Sequence, residues 1–261
     1  MKRTVPVSRR SLLVGIGSTG ALLLAGCDRL SRAPAAREIL ASSERLTQLG
    51  QRAFLSEAVM AREYTAGEIS KVFRANGSSD ASSLPPGYLE MLEAGLARWR
   101  LRIDGLVHRP LQLSLAQLRA LPARAQITRH DCVEGWSCIG GWRGPALGVV
   151  LNLAGLLPEA RFVVFHCADE YPRFVDGKNW YYESIDLIDA FHPQTILAYE
   201  MNGAPLPLAH GAPLRLRVER QLGYKMAKFI NRIEVVSSLD HLRGGRGGYW
   251  EDLGYEWYVG I

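Results

Sequence analysis

Apolar positions recur with period two in several short runs along the chain and with helical spacing in fewer. Trp99, Leu101 and Ile103 alternate with Arg100, Arg102 and Asp104, the pattern of a half-buried strand over Trp99 to Asp104 that Gly105 ends. Further strands are predicted at Ala125 to Arg129, Arg161 to Cys167, Ile196 to Met201, Leu214 to Val218 and Ile230 to Val236. Helices are predicted at Ala146 to Ala154 and Ser184 to Ala190. A shorter one, opened by the Ser114/Gln117 capping box, runs through Leu121 and is stopped by Pro122. Strands and helices mixed without regular alternation predict an α+β fold rather than a doubly wound sheet. No internal repeat and no dinucleotide or phosphate-loop glycine pattern is present.

The chain divides into three segments: a leader over residues 1–26, a tether and wrapping helix over 27–61, and a globular domain over 62–261. Asn76 to Gly87 is a loop by composition, most of it reading as a flexible linker. Gly244 to Gly248, followed by Tyr249-Trp250 and by Tyr255 to Tyr258, reads as a tail whose aromatics anchor it back on the domain. A monomer is the default expectation.

Charge changes the picture only at the N-terminus. The chain of 261 residues carries a formal +5, but Lys2, Arg3, Arg9 and Arg10 lie in a leader with no acid, so the remainder is nearly neutral. The basic balance therefore gives no support for a nucleic-acid partner. The apolar run from Leu12 to Ala25 is too short to span a bilayer, which needs about 20 residues. Ser8-Arg9-Arg10-Ser11-Leu12-Leu13 resembles a twin-arginine export signal, and Leu24-Ala25-Gly26-Cys27 resembles a lipobox with Cys27 as the lipidated residue. Asp28 resembles the residue that keeps lipoproteins in the inner membrane. The expectation is a periplasmic protein held at the cytoplasmic membrane by lipid alone and exported already folded, the route of cofactor enzymes.

In an oxidising compartment thiols usually pair, and with Cys27 spent on lipid the count left is odd: Cys132, Cys138 and Cys167. Cys132 sits where a strand runs out into a loop with charged and aromatic neighbours, an unusual setting for a purely structural cysteine. No zinc spacing is present. A nucleophilic pair of Cys132 with His130, two residues apart on a strand, is the only such geometry the sequence offers. Taken alone, Arg215 alternating with Arg217 reads as a solvated face, and His210 before Gly211 as a turn histidine.

Three separated segments change those readings. Thr195-Ile196-Leu197-Ala198-Tyr199-Glu200-Met201-Asn202-Gly203, His210-Gly211-Ala212-Pro213-Leu214-Arg215 and Gly223-Tyr224-Lys225-Met226-Ala227-Lys228 resemble the molybdopterin-binding core of the sulfite oxidase superfamily. Cys132-Val133-Glu134-Gly135-Trp136-Ser137 resembles the periplasmic methionine sulfoxide reductase branch. The likeness covers about Phe73 to Val236. It implies Mo-molybdopterin as cofactor, with Cys132 as the metal ligand and Arg215 and Lys228 as cofactor cations, Lys225 close by. It also implies His210 as a neutral hydrogen-bonding partner, with Met226 and Ala227 in the cofactor segment. Phe73-Arg74-Ala75-Asn76 resembles the segment over the metal, with Asn76 where sulfite oxidases have histidine and Arg74 as a candidate catalytic residue. Cys167 stands at a cofactor-facing position and is left open between lining the site, pairing with Cys138 and simple burial. Trp136, Trp142, Trp180, Tyr181 and Tyr182 are read as core more readily than as a substrate funnel.

The chemistry expected is oxygen-atom transfer on a sulfoxide or similar small substrate, with electrons from a membrane cytochrome or periplasmic carrier. No haem, flavin or nicotinamide fingerprint occurs in the chain. Sulfite is disfavoured because Glu134 stands where sulfite oxidases place cations, although Arg74 and Arg143 are available to compensate. The alternatives are a sulfite oxidase-like dehydrogenase, a thiol oxidoreductase built on Cys132 and Cys138, and a non-catalytic lipoprotein binding module.

Overall fold

The computed structural model describes residues 46–52, 59–171 and 180–261; the leader, Cys27 and most of the tether lie outside the described residues. Residues 46–52 are helical. Contacts divide the chain into two units, Met1–Gln51 and Arg52–Ile261, and among the described residues every strand lies in the second.

The elements run α1 (Tyr88–Glu93), β1 (Leu101–Gly105), β2 (Leu111–Leu113), α2 (Leu115–Ala120), β3 (Ala123–Cys132), β4 (Trp136–Pro145), α3 (Leu147–Ala154) and β5 (Phe162–Glu170). They continue with β6 (Trp180–Asp186), α4 (Leu187–Ala190), β7 (Ile196–Ala198), β8 (Glu200–Met201), β9 (Ala204–Pro205), β10 (Arg215–Arg217), β11 (Ile230–Val236) and α5 (Tyr249–Asp252). The expected α+β class holds. One sheet has the order β2-β1-β11-β5-β6, another β3-β4-β8-β9, and β7 pairs with β10. Within the first sheet β1 and β11 run parallel, with Arg102 beside Arg232; its other pairs are antiparallel.

Period-two patterning explains β1 and β11, while β5 is buried on both faces, Val164 included. Leu101 and Ile103, Val163 and Phe165, Ile233 and Val235 are all fully buried. Helix α3 covers them with Leu147, Val150, Leu151 and Ala154, the spacing of one helical stripe. The Ser114/Gln117 capping box opens α2 as expected. The aromatic tail also packs back as predicted, with the Tyr249 ring 5.0 Å from Tyr171 and 5.7 Å from Tyr181.

Three expectations need correction. The strand predicted at Ala125 to Arg129 runs on to Cys132, and its hairpin partner β4 is absent from the predicted strands. Glycines interrupt the pattern of β4, and one of them has a packing reason: a Cβ on Gly144 would lie 1.9 Å from the Leu197 carbonyl oxygen. The predicted helix over Ser184 to Ala190 exists only from Leu187, capped by Asp186. Ser184 and Ile185 belong to β6, where pairing with Val164 and Val163 overrides helical propensity. The single strand predicted over Ile196 to Met201 is split at Tyr199, because the chain changes neighbours there: β7 pairs with β10 and β8 with β4.

Candidate molybdopterin site

The β3–β4 hairpin sets the position of the key thiol. Its ladder pairs Ala123 with Pro145 at one end and Cys132 with Trp136 at the other, leaving Val133-Glu134-Gly135 as the turn. Ten residues of continuous pairing make a stiff arm, and Cys132 is its tip. The thiol is buried, and that burial raises its pKa despite backbone N–H contacts in the turn and the nearby Arg74 charge. Left alone, then, Cys132 is a thiol, and a bound cation is what would hold it as thiolate.

Cys132, Val133 and Glu134 line one wall of a cavity. Asn76 and Gly77 contribute from the loop before α1, Asp169 and Tyr171 from the end of β5, Tyr181 from β6, Gly223, Tyr224, Met226 and Lys228 from the segment before β11, and Trp250 and Tyr255 from the tail. Burial raises the Asp169 carboxyl pKa and lowers that of the Lys228 ammonium.

Beside this cavity lies a layer of rings packed edge to face, together with cations. Phe73 packs its ring 5.7 Å from His130, 5.4 Å from Trp142 and 5.4 Å from His210. Trp142 lies beneath two guanidinium groups, Arg215 at 4.9 Å and Arg217 at 4.4 Å. Arg217 is neutralised by Glu219 through bonds of 2.9 and 2.6 Å, and donates to His130 Nδ1 at 3.0 Å. That donation makes Nδ1 the acceptor, so the ring proton sits on Nε2.

Arg215 is different. It is wholly buried, donates to the His210 carbonyl at 3.1 Å, and has no carboxylate at ion-pair distance among the described residues. Its Nε has no partner, and neither does His130 Nε2. Burial, then Arg217, pushes the Arg215 guanidinium down to about 9. Burial, Arg215 and Lys228 hold His210 down to about 4, so it is neutral at pH 7.

The residues singled out from sequence therefore divide. Cys132, Asn76, Met226 and Lys228 line the cavity, and Phe73, His210 and Arg215 form the layer beside it. Arg74 is exposed at the rim, 5.5 Å over the Trp136 ring. Ala227 contributes its backbone, accepting from Leu216 N–H at 2.8 Å. Cys167 is buried, and burial raises its thiol pKa well above normal. Cys138 points to the Val72 carbonyl at 3.7 Å, and all three described cysteines are free, so the Cys138–Cys167 disulfide alternative is not what the structure contains. The solvated-face reading of Arg215 and Arg217 fails, since both are fully buried. Lys225 is held away from the cavity between Glu183 and Glu251. Of the aromatics read as core, Trp142 and Tyr182 are so, but Tyr181 also lines the cavity, Trp136 is half-buried and Trp180 is exposed. Arg143 pairs with Glu200 at the far end of the hairpin, opposite Ala125, and does not reach the cavity.

Sequence reasoning gives no site role to Asp169, Glu219 or the tail aromatics. For Asp169 the available cue is an acid placed directly after the apolar run Phe162 to Ala168.

A family model described as oxidoreductase molybdopterin binding domain matches residues 89–241, more than half of the chain. The chain belongs to the oxidoreductase molybdopterin-binding domain family. This agrees with the resemblance carried by the Cys132, His210 and Gly223 segments. A relative from Azospira oryzae named as a putative protein-methionine-sulfoxide reductase subunit, YedZ1, is 42% identical over 171 residues, covering 66% of this chain and 59% of that one. The protein-methionine-sulfoxide reductase catalytic subunit MsrP of Xanthomonas campestris is 35% identical over 165 residues, 60% of this chain and 49% of its own. That of Gluconobacter oxydans is 39% identical over 151 residues, 55% and 47%. The chain thus spans about half the length of the curated relatives it matches. Among solved structures, the sulfane dehydrogenase SoxCD of Paracoccus pantotrophus aligns over 54% of this chain and 38% of that one, with a TM-score of 0.47 and 23% identity.

The site fits the cofactor that gives the family its name. Molybdopterin bears a phosphate and a pterin rich in hydrogen-bonding groups. Among the described residues the cluster offers a buried cation with no carboxylate at ion-pair distance, three unpartnered buried N–H donors (Arg215 Nε, His130 Nε2 and Trp142 Nε1), and a soft sulfur ligand in the cavity wall.

Proposed function

We propose that the protein is a periplasmic molybdenum-dependent oxidoreductase that removes an oxygen atom from a sulfoxide or similar small substrate. The observation that carries this is Arg215, a buried guanidinium with no carboxylate at ion-pair distance among the described residues, in the same cluster as the Cys132 cavity. Leaving such a charge unpaired is costly, and a bound phosphate would offset the cost. Arg215 would hold the phosphate, neutral His210 and the backbone from Met226 to Lys228 the organic part, and Cys132 the metal. The cofactor supplies two-electron redox chemistry at that metal. Sulfoxide reduction consumes two electrons and two protons and releases a thioether and water, so a separate carrier, a membrane cytochrome or a soluble periplasmic protein, must supply the electrons.

Within this reading Asn76 and Tyr181 border the substrate, Trp136 and Arg74 form the rim, and Glu134 sets its charge. A carboxylate in the turn beside Cys132 disfavours a dianion such as sulfite, and Arg143 is too far away to offset it. The thiol-oxidoreductase alternative loses ground because burial works against a Cys132 thiolate when no metal is present. Metal analysis of purified protein is the direct test. About one molybdenum per chain, together with pterin, is expected of the enzyme, whereas a non-catalytic binding module would contain neither.

Export through the twin-arginine route and lipid attachment at Cys27 belong to the same proposal. Replacing Arg9 and Arg10 by Lys is expected to strand folded precursor in the cytoplasm; normal periplasmic yield in fractionated cells would count against it. Cys27→Ala is expected to release the protein from the membrane with its cofactor content unchanged. Among the described residues no helix is long and apolar enough to cross a membrane.

A further inference from the structure

The Asn76 to Ser78 stretch, linker-like in composition, is tied down on every side. The Lys228 ammonium donates to the Asn76 carbonyl at 2.6 Å, to the Ala209 carbonyl at 3.1 Å and to the Ser78 carbonyl. An ammonium has three hydrogens to donate, and here each has a carbonyl acceptor. Ser78 N–H donates to the Tyr171 hydroxyl at 2.8 Å. Gly77, at φ +61°, comes so close that a Cβ would lie 2.0 Å from the same hydroxyl, so only glycine fits. Upstream, Ser70 is bonded twice to Ile139 of β4, at 3.0 and 2.9 Å. Downstream, the buried Tyr88 hydroxyl donates to the Ala212 carbonyl at 2.9 Å. Between those anchors the strap carries Phe73 into the ring layer and Asn76 to the cavity that contains Cys132.

We propose that Lys228 is a positioning residue which, with Tyr171, clamps this strap so that Asn76 stays at the substrate cavity, and that it is not the cation paired with the cofactor phosphate. Phosphate pairing falls to Arg215, which has an unpartnered donor where Lys228 has none to spare. The inference rests on the proposed function only for the identity of the cavity. The clamp itself is a property of the polypeptide and can be read without cofactor.

The test uses Lys228→Met and Tyr171→Phe in the full chain. In cofactor-free protein, hydrogen exchange at the Ser78 amide is expected to accelerate about tenfold in each, roughly what loss of one hydrogen bond allows. In loaded protein, pterin and molybdenum contents should stay near wild type while KM for dimethyl sulfoxide rises about tenfold with kcat nearly unchanged. Lys228→Arg, which keeps charged donors, should restore most of the KM. A Lys228→Met protein that loses pterin while Ser78 exchange stays slow would overturn the proposal and make the lysine a cofactor ligand. Faster exchange with an unchanged KM would also overturn it, since the strap would then position nothing. Should Lys228→Met fail to fold, Tyr171→Phe decides by the same two readouts. If wild-type protein carries neither molybdenum nor pterin, the proposed function fails, and the exchange rates in cofactor-free protein still decide the clamp.

Discussion

Cys132→Ser is expected to keep the fold and much of the pterin while oxygen-transfer activity falls to background. The substitution changes one atom at the tip of a hairpin whose ten ladder pairs do not depend on it. Arg215 and the neighbouring backbone would still hold the organic part of the cofactor. A serine oxygen is nevertheless a harder and weaker donor than a thiolate, which alters the potential and coordination of a redox metal. Arg215→Ala should behave in the opposite way. Losing a buried cation opposite a phosphate costs about 2–5 kcal/mol, a loss of affinity of about 30-fold or more, so pterin occupancy should collapse. Yet the cofactor-free form should be no less stable, because in that form Arg215 is a charge without an anion. Molybdenum and pterin assays, the metal's paramagnetic resonance and thermal unfolding of cofactor-free protein separate the two. An unaltered resonance in Cys132→Ser, or one altered by Cys138→Ser instead, would move the metal ligand elsewhere.

Lys225→Met is expected to be the most destabilising single change outside the cavity, by about 3–5 kcal/mol. Lys225 is fully buried and bridges Glu183 on β6 to Glu251 on α5, with Glu251 at 2.6 Å. Burial alone would lower the ammonium's pKa, but the two carboxylates together raise it. Without the lysine, two buried acids face each other. The Glu183 carboxyl is already pushed well above its ordinary 4.5, by burial first and by Glu251 second. An acid whose folded-state pKa is raised binds its proton more tightly in the folded state, so stability falls as pH rises above the unfolded value. The deficit of Lys225→Met should therefore be largest at neutral and alkaline pH and shrink as pH falls toward 4.5. Urea midpoints across that range check the sign. A pH-independent deficit would mean that lost packing, rather than unpaired charge, governs the junction.

Periodicity makes β1 and β11 legible because their apolar residues alternate onto the core face. The strand predicted at Ile230 to Val236 matches to the residue, and the helix over Ala146 to Ala154 within one. What periodicity misses obeys other rules. Strand β4 carries glycine where β7 crosses it, so close backbone approach replaces the side chains that would have marked a strand. β6 places Glu183 and Ser184 in the interior, which a polarity pattern reads as surface. The site shows the same division. Motif resemblance points to Cys132, Arg215 and His210 as candidates, whereas no local pattern shows that Arg217 is neutralised by Glu219 two residues on while Arg215 has no carboxylate at ion-pair distance among the described residues. That difference arises from tertiary burial and decides which cation is available to an anion.

The parallel pairing of β1 with β11 bears on when the site can exist during biosynthesis. β1 opens the core sheet, yet the strand that lies beside it is made more than 100 residues later, after the Gly223 to Lys228 wall of the cavity. Parallel neighbours so distant in sequence close a large loop, and a chain growing at about 5–20 residues per second spends many seconds with that edge unfilled. A ribosome-bound fragment ending before residue 223 can form the β3–β4 hairpin and present Cys132, but it has neither Arg217 against Glu219 in a closed interior nor the far wall of the cavity. Cofactor capture is thereby confined to chains synthesised past β11, and an assembly factor that recognises the apoprotein would meet a domain with its central sheet closed rather than a partial one.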